Sequence, residues 1–298
     1  MSLGFFHEYG KGTEINYSKA FKWYQKAANN GDDIAQQSLG VLYESGKGVK
    51  QDLNKAFEWY VKAANQGNKL AKESIDALQY KFDRSKGIDE WFKWVEMFAN
   101  QGLANAQNNL GLAYENGQGV KKDDKKAVKW YTKAAEQGYE VAQNNLGRMY
   151  EHGQGVKQDD KESIKWYSKA AEQNYASAQF RLAWAYANGK GIEKDDKEAV
   201  KWYSKAAKQG YNRAQNNLGV MYANGRGVTK DDKEAVKWYL KAAEQDNLRA
   251  QCNLGHRYSI GDGVTQDAKK AAKWYLKAAE QNHDKAQIKI GVMYLNGT

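Results

Sequence analysis

The chain has 298 residues with 46 Lys and Arg against 36 Asp and Glu, a formal net charge of +10 and a pI near 9.2. Its single cysteine, Cys252, excludes an internal disulfide framework and any metal site built from several cysteines. No run of about 18 apolar residues occurs, so we expect no membrane-spanning helix. The positive charge would suit nucleic acid or an anionic surface, but the lysines are spread evenly along the chain.

The first residues correspond to the later part of a first helix and the loop that follows it. Residues 3–12 align with residues 39–48, so the chain opens midway through the first helix of a repeat. No secretory signal is visible, and both a cytoplasmic and an exported location stay open. Neither end carries the polar cap that normally closes a solenoid, so we expect a fragment of a longer protein that begins with a short vector-derived leader.

Tryptophan then recurs about every 36 residues, which indicates a tandem array of one structural unit. The recurring residues are Trp23, Trp59, Trp94, Trp130, Trp166, Trp202, Trp238 and Trp274. We predict one all-α domain over residues 1–298, a right-handed α-α superhelical solenoid of about eight helix pairs. The repeats are expected near residues 3–31, 34–67, 70–102, 105–138, 141–174, 177–210, 213–246 and 249–282, with a half repeat at 285–298.

The third unit, residues 70–102, is degenerate. It keeps Trp94 but lacks the leucine-glycine pair, the Gly-x-Gly loop and the aspartate that mark the other units. We interpret it as a drifted repeat that still stacks. The alternative is a hinge or a special contact rich in aromatic residues.

The unit at residues 105–138 shows why each repeat should be a helix pair. Its second helix places Ala127, Tyr131 and other apolar residues on one stripe and lysines on the opposite face, and an aspartate before it suits a helix cap. Its first helix has an apolar stripe around Leu110. Gly111 lies beside that stripe although a mid-helix glycine costs about 1 kcal/mol, so we expect another helix to approach closely there. Asn-Gly after the first helix suits a left-handed C-terminal cap.

The repeat reads Ala-x-x-x-Leu-Gly-x-x-Tyr-x-x-Gly-x-Gly-Val-x-x-Asp-x-x-Lys-Ala-x-x-Trp-Tyr-x-Lys-Ala-Ala-x-x-Gly. This pattern closely resembles the Sel1-like repeat, a relative of the tetratricopeptide repeat. Residues 39–67, 110–138, 146–174, 182–210, 218–246 and 254–282 follow it with few departures. The resemblance implies a superhelical adaptor that binds a partner protein or peptide, often in bacteria.

Signatures of catalysis are missing from the sequence. It has no Ser-x-x-Lys, Gly-x-Ser-x-Gly, His-Glu-x-x-His or phosphate-binding loop, so we predict no enzyme and no catalytic, cofactor or metal site. One alternative is a basic solenoid for nucleic acid, which is disfavoured because the Trp-Tyr pairs should be buried and the lysines alternate with acidic residues. The other is a small-molecule-binding or hydrolase-like member of the family; the family's cysteine-rich branch is linked with β-lactams, and this chain lacks those cysteines.

A partner is expected on the face of each first helix opposite its buried stripe, because a solenoid turns that face to its concave side. We call these positions of the first helices the inner row and the surface they form the inner face. The inner row varies between repeats and holds apolar residues. Phe180 and Trp184 stand four residues apart on it and have the character of binding anchors. Arg213, Arg249 and Lys285 belong to the same row. The predicted groove comprises Asn108, Leu112, Asn144, Arg148, Phe180, Arg181, Trp184, Asn216, Val220, Cys252 and His256.

Roles follow from the residue types. The asparagines offer amide hydrogen bonds to an extended peptide, and the two arginines at 148 and 181 flank the aromatic pair. Cys252 and His256 could reach one metal ion, but no further ligand lies nearby in the sequence, which favours contact with a partner over a zinc site. The apolar residues of the row have an equally good alternative, which is packing against the neighbouring first helix.

Overall fold

A computed structural model describes residues 3–85 and 87–295. Within these residues the chain folds into 17 helices with no strand, arranged as repeated helix pairs, which confirms the all-α solenoid class predicted from the repeat. The handedness of the superhelix and the single continuous domain stay predictions. None of the helices in the described ranges is long and apolar enough to span a bilayer.

The chain forms two compact units, Met1–Trp91 and Phe92–Thr298. The first holds α1 (Leu3–Tyr9), α2 (Tyr17–Asn29), α3 (Asp33–Ser45), α4 (Leu53–Asn65) and α5 (Lys69–Ser85), and the division falls within α6 (Ile88–Asn100). The second holds α7 (Ala104–Asn116), α8 (Asp124–Glu136), α9 (Glu140–His152), α10 (Asp160–Glu172), α11 (Ala176–Asn188), α12 (Asp196–Lys208), α13 (Asn212–Asn224), α14 (Asp232–Ala243), α15 (Leu248–Ile260), α16 (Ala268–Glu280) and α17 (Asp284–Leu295). Odd-numbered helices are the first helices of the repeats, and even-numbered helices are the second.

The degenerate unit forms α5 and the helix α6. Within the first unit, α5 packs against α4. The hinge suggested for this segment involves the side chains of residues 79–86, which lie outside the described part of the structure. Both interpretations of the segment therefore stay predictions.

Second helices begin at the aspartates expected to cap them. At the start of α10, the Asp159 carboxylate accepts a hydrogen bond from the backbone N–H of Glu162 at 3.0 Å, which satisfies a donor that has no partner within the helix. The same aspartate cap opens α4, α8, α12, α14 and α16. The buried stripe of α10 includes Tyr167 and Ala170.

Glycines fix the spacing of the helices. A Cβ atom on Gly111 would lie 2.7 Å from the ring of Tyr131, which confirms the close approach expected at this position. In the Gly-x-Gly loop after α9, Gly155 has φ +70, and a Cβ atom there would overlap the carbonyl group of Asp124 in the preceding repeat. A side chain is thus excluded at Gly111 inside its helix pair and at Gly155 between consecutive pairs.

A ladder of glutamines joins the repeats through the core. The Gln143 side chain is 3% exposed; its Nε2 donates to the Ala135 carbonyl at 3.2 Å, and its Oε1 accepts from Gln173 Nε2 at 2.8 Å. Because a buried amide without partners is costly, this arrangement holds the end of one second helix to the next first helix. The same pairing occurs at Gln36 and Gln66, Gln107 and Gln137, Gln179 and Gln209, Gln215 and Gln245, and Gln251 and Gln281.

Candidate functional site

The predicted groove residues lie on α7, α9, α11, α13 and α15 of the second unit, and the structure divides them by exposure. Trp184 and His256 are exposed. Half-buried residues are Leu112, Asn144, Arg148, Phe180, Arg181, Val220 and Cys252. Asn108 and Asn216 are buried, with 2% and 4% of their surface exposed.

The two buried asparagines serve the helix stack. Asn108 Oδ1 accepts from Asn145 Nδ2 at 2.9 Å, and Asn216 Oδ1 accepts from Asn253 Nδ2 at 3.0 Å, so each bridges to the next first helix. This differs from the expectation that they offer their amides to a peptide. The helical wheel placed them opposite the stripe of one helix, but neighbouring first helices cover that flank, and a single-helix projection does not include them. Asn144 is half-buried, and its Oδ1 has no hydrogen-bond partner among the described residues.

The two predicted arginines are neutralised by glutamates of the preceding repeat. Arg148 Nη2 lies 2.6 Å from Glu115 Oε2, which also accepts from the Tyr131 hydroxyl at 2.7 Å. Burial raises the pKa of Glu115, but the hydrogen bonds from Arg148 and Tyr131 outweigh it and hold that pKa below its ordinary value. Arg181 pairs in the same way with Glu151 at 3.1 Å. These cations are therefore not free for a ligand.

A groove of about 430 Å³ opens beside the aromatic pair. It crosses α11, α13 and α15 and is lined by Phe180, Trp184, Arg213, Asn216, Asn217, Asn247, Leu248 and Arg249. Two of these residues, Arg213 and Arg249, are exposed and form no ion pair with any described residue. The sequence placed both on the inner row, but their pairing state depends on the register between helices and could be read only from the structure.

Phe180 and Trp184 have different surroundings. The ring of Phe180 is half-buried, with its centroid 5.3 Å from that of Tyr211 and 5.9 Å from that of Tyr203. Trp184 remains 37% exposed at the mouth of the groove. Phe180 thus contributes to the core and also forms the groove wall, whereas Trp184 presents apolar surface to solvent.

Comparison with known proteins identifies the array. A profile of the Sel1 repeat matches residues 1–32, 33–68, 104–139, 141–175, 176–211, 212–247, 248–283 and 284–298. The chain belongs to the Sel1 repeat family. Sel1 repeat proteins generally mediate protein–protein interactions, and their solenoid fold is typically non-catalytic.

Two solved structures resemble this Sel1 array. A protective antigen present in uropathogenic Escherichia coli strains, which displays an SLR fold, is 34% identical, with a TM-score of 0.64 over 99% of this chain and 71% of its own. A Sel1 repeat protein from Oxalobacter formigenes is 44% identical, with a TM-score of 0.63 over 66% of this chain and 80% of its own. Both relatives are bacterial. No curated protein matches the chain.

The outer face of the Sel1 second helices carries most of the lysines. Lys133 Nζ lies 4.1 Å from the ring centroid of Trp130, and Lys205 Nζ lies 4.0 Å from that of Trp202. One turn earlier, Lys165, Lys201 and Lys237 pair with glutamates, as Lys201 does with Glu198 at 2.9 Å. The tyrosine of each Trp-Tyr pair is buried as expected, while most tryptophans are half-buried under a lysine. The indole faces under these lysines are therefore not free to stack on bases, as a nucleic-acid surface requires.

Cys252 and His256 lie on α15 at the end of the inner row. Burial raises the pKa of the Cys252 thiol, which Lys285 and Lys289 partly offset. No group of three or more potential ligands among His, Cys, Asp and Glu occurs in the described residues. The pair has no geometry that distinguishes it from ordinary surface residues.

Proposed function

We propose that the chain is an adaptor that binds a segment of a partner protein in the groove between α11, α13 and α15. The observation that carries the proposal is Trp184, a large aromatic side chain that is 37% exposed beside a groove of about 430 Å³. Exposed tryptophan next to a concave, mixed polar and apolar surface is typical of binding hot spots. The general role of Sel1 repeats in protein–protein interactions supports the same assignment.

Three of the other predicted residues have supporting roles in this proposal. Phe180 shapes the wall of the groove through its contacts with Tyr203 and Tyr211. Arg148 and Arg181 are held by Glu115 and Glu151, so they stabilise the inner face and do not bind the segment. The groove that contacts the partner accordingly includes Trp184 of α11 and extends from there to α13 and α15, away from the ion pairs of Arg148 and Arg181.

Trp184→Ala tests the proposal with little risk to folding, because the side chain is only partly packed. Random dodecapeptides displayed on phage are selected against the intact chain, and the affinities of the enriched peptides are measured by calorimetry. We expect Trp184→Ala to weaken binding about tenfold or more, as truncation of a hot-spot aromatic does. Circular-dichroism melting checks that the variant is folded.

A matched control is Trp23→Ala. Trp23 is 39% exposed, lies on α2 of the first unit and does not line the groove, so its replacement should leave the affinities unchanged. The proposal is overturned if no peptide is enriched, or if the enriched peptides bind wild type and Trp184→Ala equally well.

A further inference from the structure

The glutamates in the last turn of the first helices stop after α9. In α7 and α9, a glutamate in the last turn forms an ion pair with an arginine of the next first helix. Glu115 pairs with Arg148, and Glu151 pairs with Arg181. In α11, α13 and α15 the same position is Ala187, Ala223 or Ser259. The glutamates are therefore absent from these positions, and the positions of their partners Arg148 and Arg181 become Trp184 and Asn217 in the following repeats, so the ion pair is lost as a unit.

Two cations lie at a different position of the later repeats, near the starts of their first helices. Arg213 near the start of α13 and Arg249 near the start of α15 are both exposed, both line the groove, and neither forms an ion pair with a described residue. Lys285 occupies the same register in α17 and is also exposed. Among the described residues that line the groove there is no Asp or Glu.

From this charge pattern we infer that the segment bound beside Trp184 is acidic, with carboxylates that pair with Arg213 and Arg249. The inference rests on the proposed function and specifies the chemistry of the partner. Packed helices lie about 8–10 Å apart. A peptide in the extended polyproline II conformation rises about 3.1 Å per residue and turns every third side chain to the same face. Two side chains on neighbouring first helices therefore match acidic residues about three positions apart in the segment.

The apolar component of the segment follows from the other wall of the groove. Trp184 and Phe180 lie on α11, so an aromatic or aliphatic residue should flank the acidic pair on the α11 side. Asn217 and Asn247 provide amides for hydrogen bonds to an extended backbone. A guanidinium group binds a carboxylate through two parallel hydrogen bonds, which gives the arginines a geometric preference beyond their charge.

Nucleic acid is a weaker fit for the same cations. Single-stranded nucleic acid requires a continuous positive track with several aromatic platforms for successive bases. The groove presents one exposed aromatic ring, and the tryptophans of the second helices are covered by lysines at distances such as 4.0 Å for Lys205 over Trp202. A short acidic peptide uses all the features that are present.

Charge reversal provides the test. Dodecapeptide selections are run in parallel on the wild-type chain, on Arg213→Glu/Arg249→Glu and on Trp184→Ala. We expect wild type to enrich peptides with acidic residues about three positions apart. The charge-reversed chain should lose affinity for them by about tenfold or more and should enrich basic peptides. Raising the salt concentration should weaken the acidic peptides, because exposed charge pairs are screened.

A control variant tests whether the change in net charge alone alters the selected peptides. Lys129→Glu/Lys273→Glu makes the same change in net charge at exposed lysines of α8 and α16, away from the groove, and should leave the enriched sequences unchanged.

Peptides that depend on Trp184 but show no charge preference would overturn the acidic assignment and leave the proposed function standing. Peptides that do not depend on Trp184 would overturn both. Displacement of the acidic peptides by oligouridylate at lower concentration than by free peptide would assign the groove to nucleic acid and overturn the inference.

Discussion

Replacing Gly147 by alanine should destabilise the chain, although the same change in most helices is stabilising. Gly147 lies in the middle of α9, where a Cβ atom would be 2.8 Å from two ring carbons of Tyr167 and 3.2 Å from the backbone oxygen of Ser163. Tyr167 is 2% exposed, and its hydroxyl donates to Glu151 at 2.7 Å. The ring is therefore held from several sides and has little room to move away from an added methyl group.

Two opposing effects decide the magnitude. Alanine in place of a mid-helix glycine is worth about 1 kcal/mol through helix propensity. Forcing an additional carbon into a well-packed core costs about 1–3 kcal/mol. We expect a net loss of about 1 kcal/mol in the free energy of unfolding, which corresponds to a fall in Tm of a few degrees for a chain of this size.

Gly291 offers a matched control within the same chain. It occupies the equivalent position in α17, and no other atom of the described residues lies within 4 Å of a Cβ built there. Gly291→Ala should therefore show only the propensity gain of about 1 kcal/mol. Urea unfolding followed by circular dichroism, with hydrogen exchange to localise the change to α9 and α10 or to α17, measures both variants. If Gly147→Ala stabilises the chain as much as Gly291→Ala does, the close packing of Tyr167 is not what requires the glycine.

Two further predictions concern buried polar groups. Gln215→Leu should lower the free energy of unfolding by about 1–3 kcal/mol, because it removes two buried hydrogen bonds, one to the Ala207 carbonyl and one from the Gln245 amide. Gln245→Ala on the exposed side removes one of them and should cost less, and urea melts of both variants compare them. Glu115 has a lowered pKa in the folded chain, so its contribution to stability is present above its unfolded-state pKa of about 4.3 and is lost as the pH falls through the folded-state value. Wild type should therefore lose more stability than Glu115→Gln between neutral pH and about pH 3, and equal losses in the two proteins would show that the pair with Arg148 contributes nothing.

Much of the fold could be predicted because the sequence features that determine it act within one or two helices. The 3.6-residue spacing of apolar side chains, the aspartate before six of the second helices and the Gly-x-Gly loop are local signals, and all three occur in the structure. The glutamine ladder was missed. A signal for it was present, since Gln107 recurs beside the core stripe in each regular repeat and Gln137 recurs 30 residues later.

The candidate site was predicted less completely, because it depends on which helix contacts which. The wheel of a single first helix grouped these residues on one row but could not show that Asn108 bonds to Asn145 or that Arg148 lies against Glu115. Both contacts join consecutive repeats and require the register between them. For the same reason Arg213 carried no more weight in the sequence than Arg148, although the structure pairs one and leaves the other exposed.

One small change in sequence links the packing of the repeats to their binding chemistry. In α9 the glutamate at position 151 binds both the core tyrosine at 167 and an arginine of the next helix, so it completes the core and neutralises the inner face at once. In α11 the corresponding residue is Ala187, and Tyr203 instead accepts a hydrogen bond from Asn217 at 3.0 Å. The tyrosine keeps a partner, and the fold tolerates the change. The arginine that Glu151 binds is replaced as well, because Asn217 stands at the position of Arg181, so the ion pair is lost as a unit. Arg213 and Arg249 lie near the starts of their helices, are exposed, and have no carboxylate beside them in the groove lining. The specificity of this chain should therefore lie in the residues of α11, α13 and α15 that line the groove and not in its common repeat pattern.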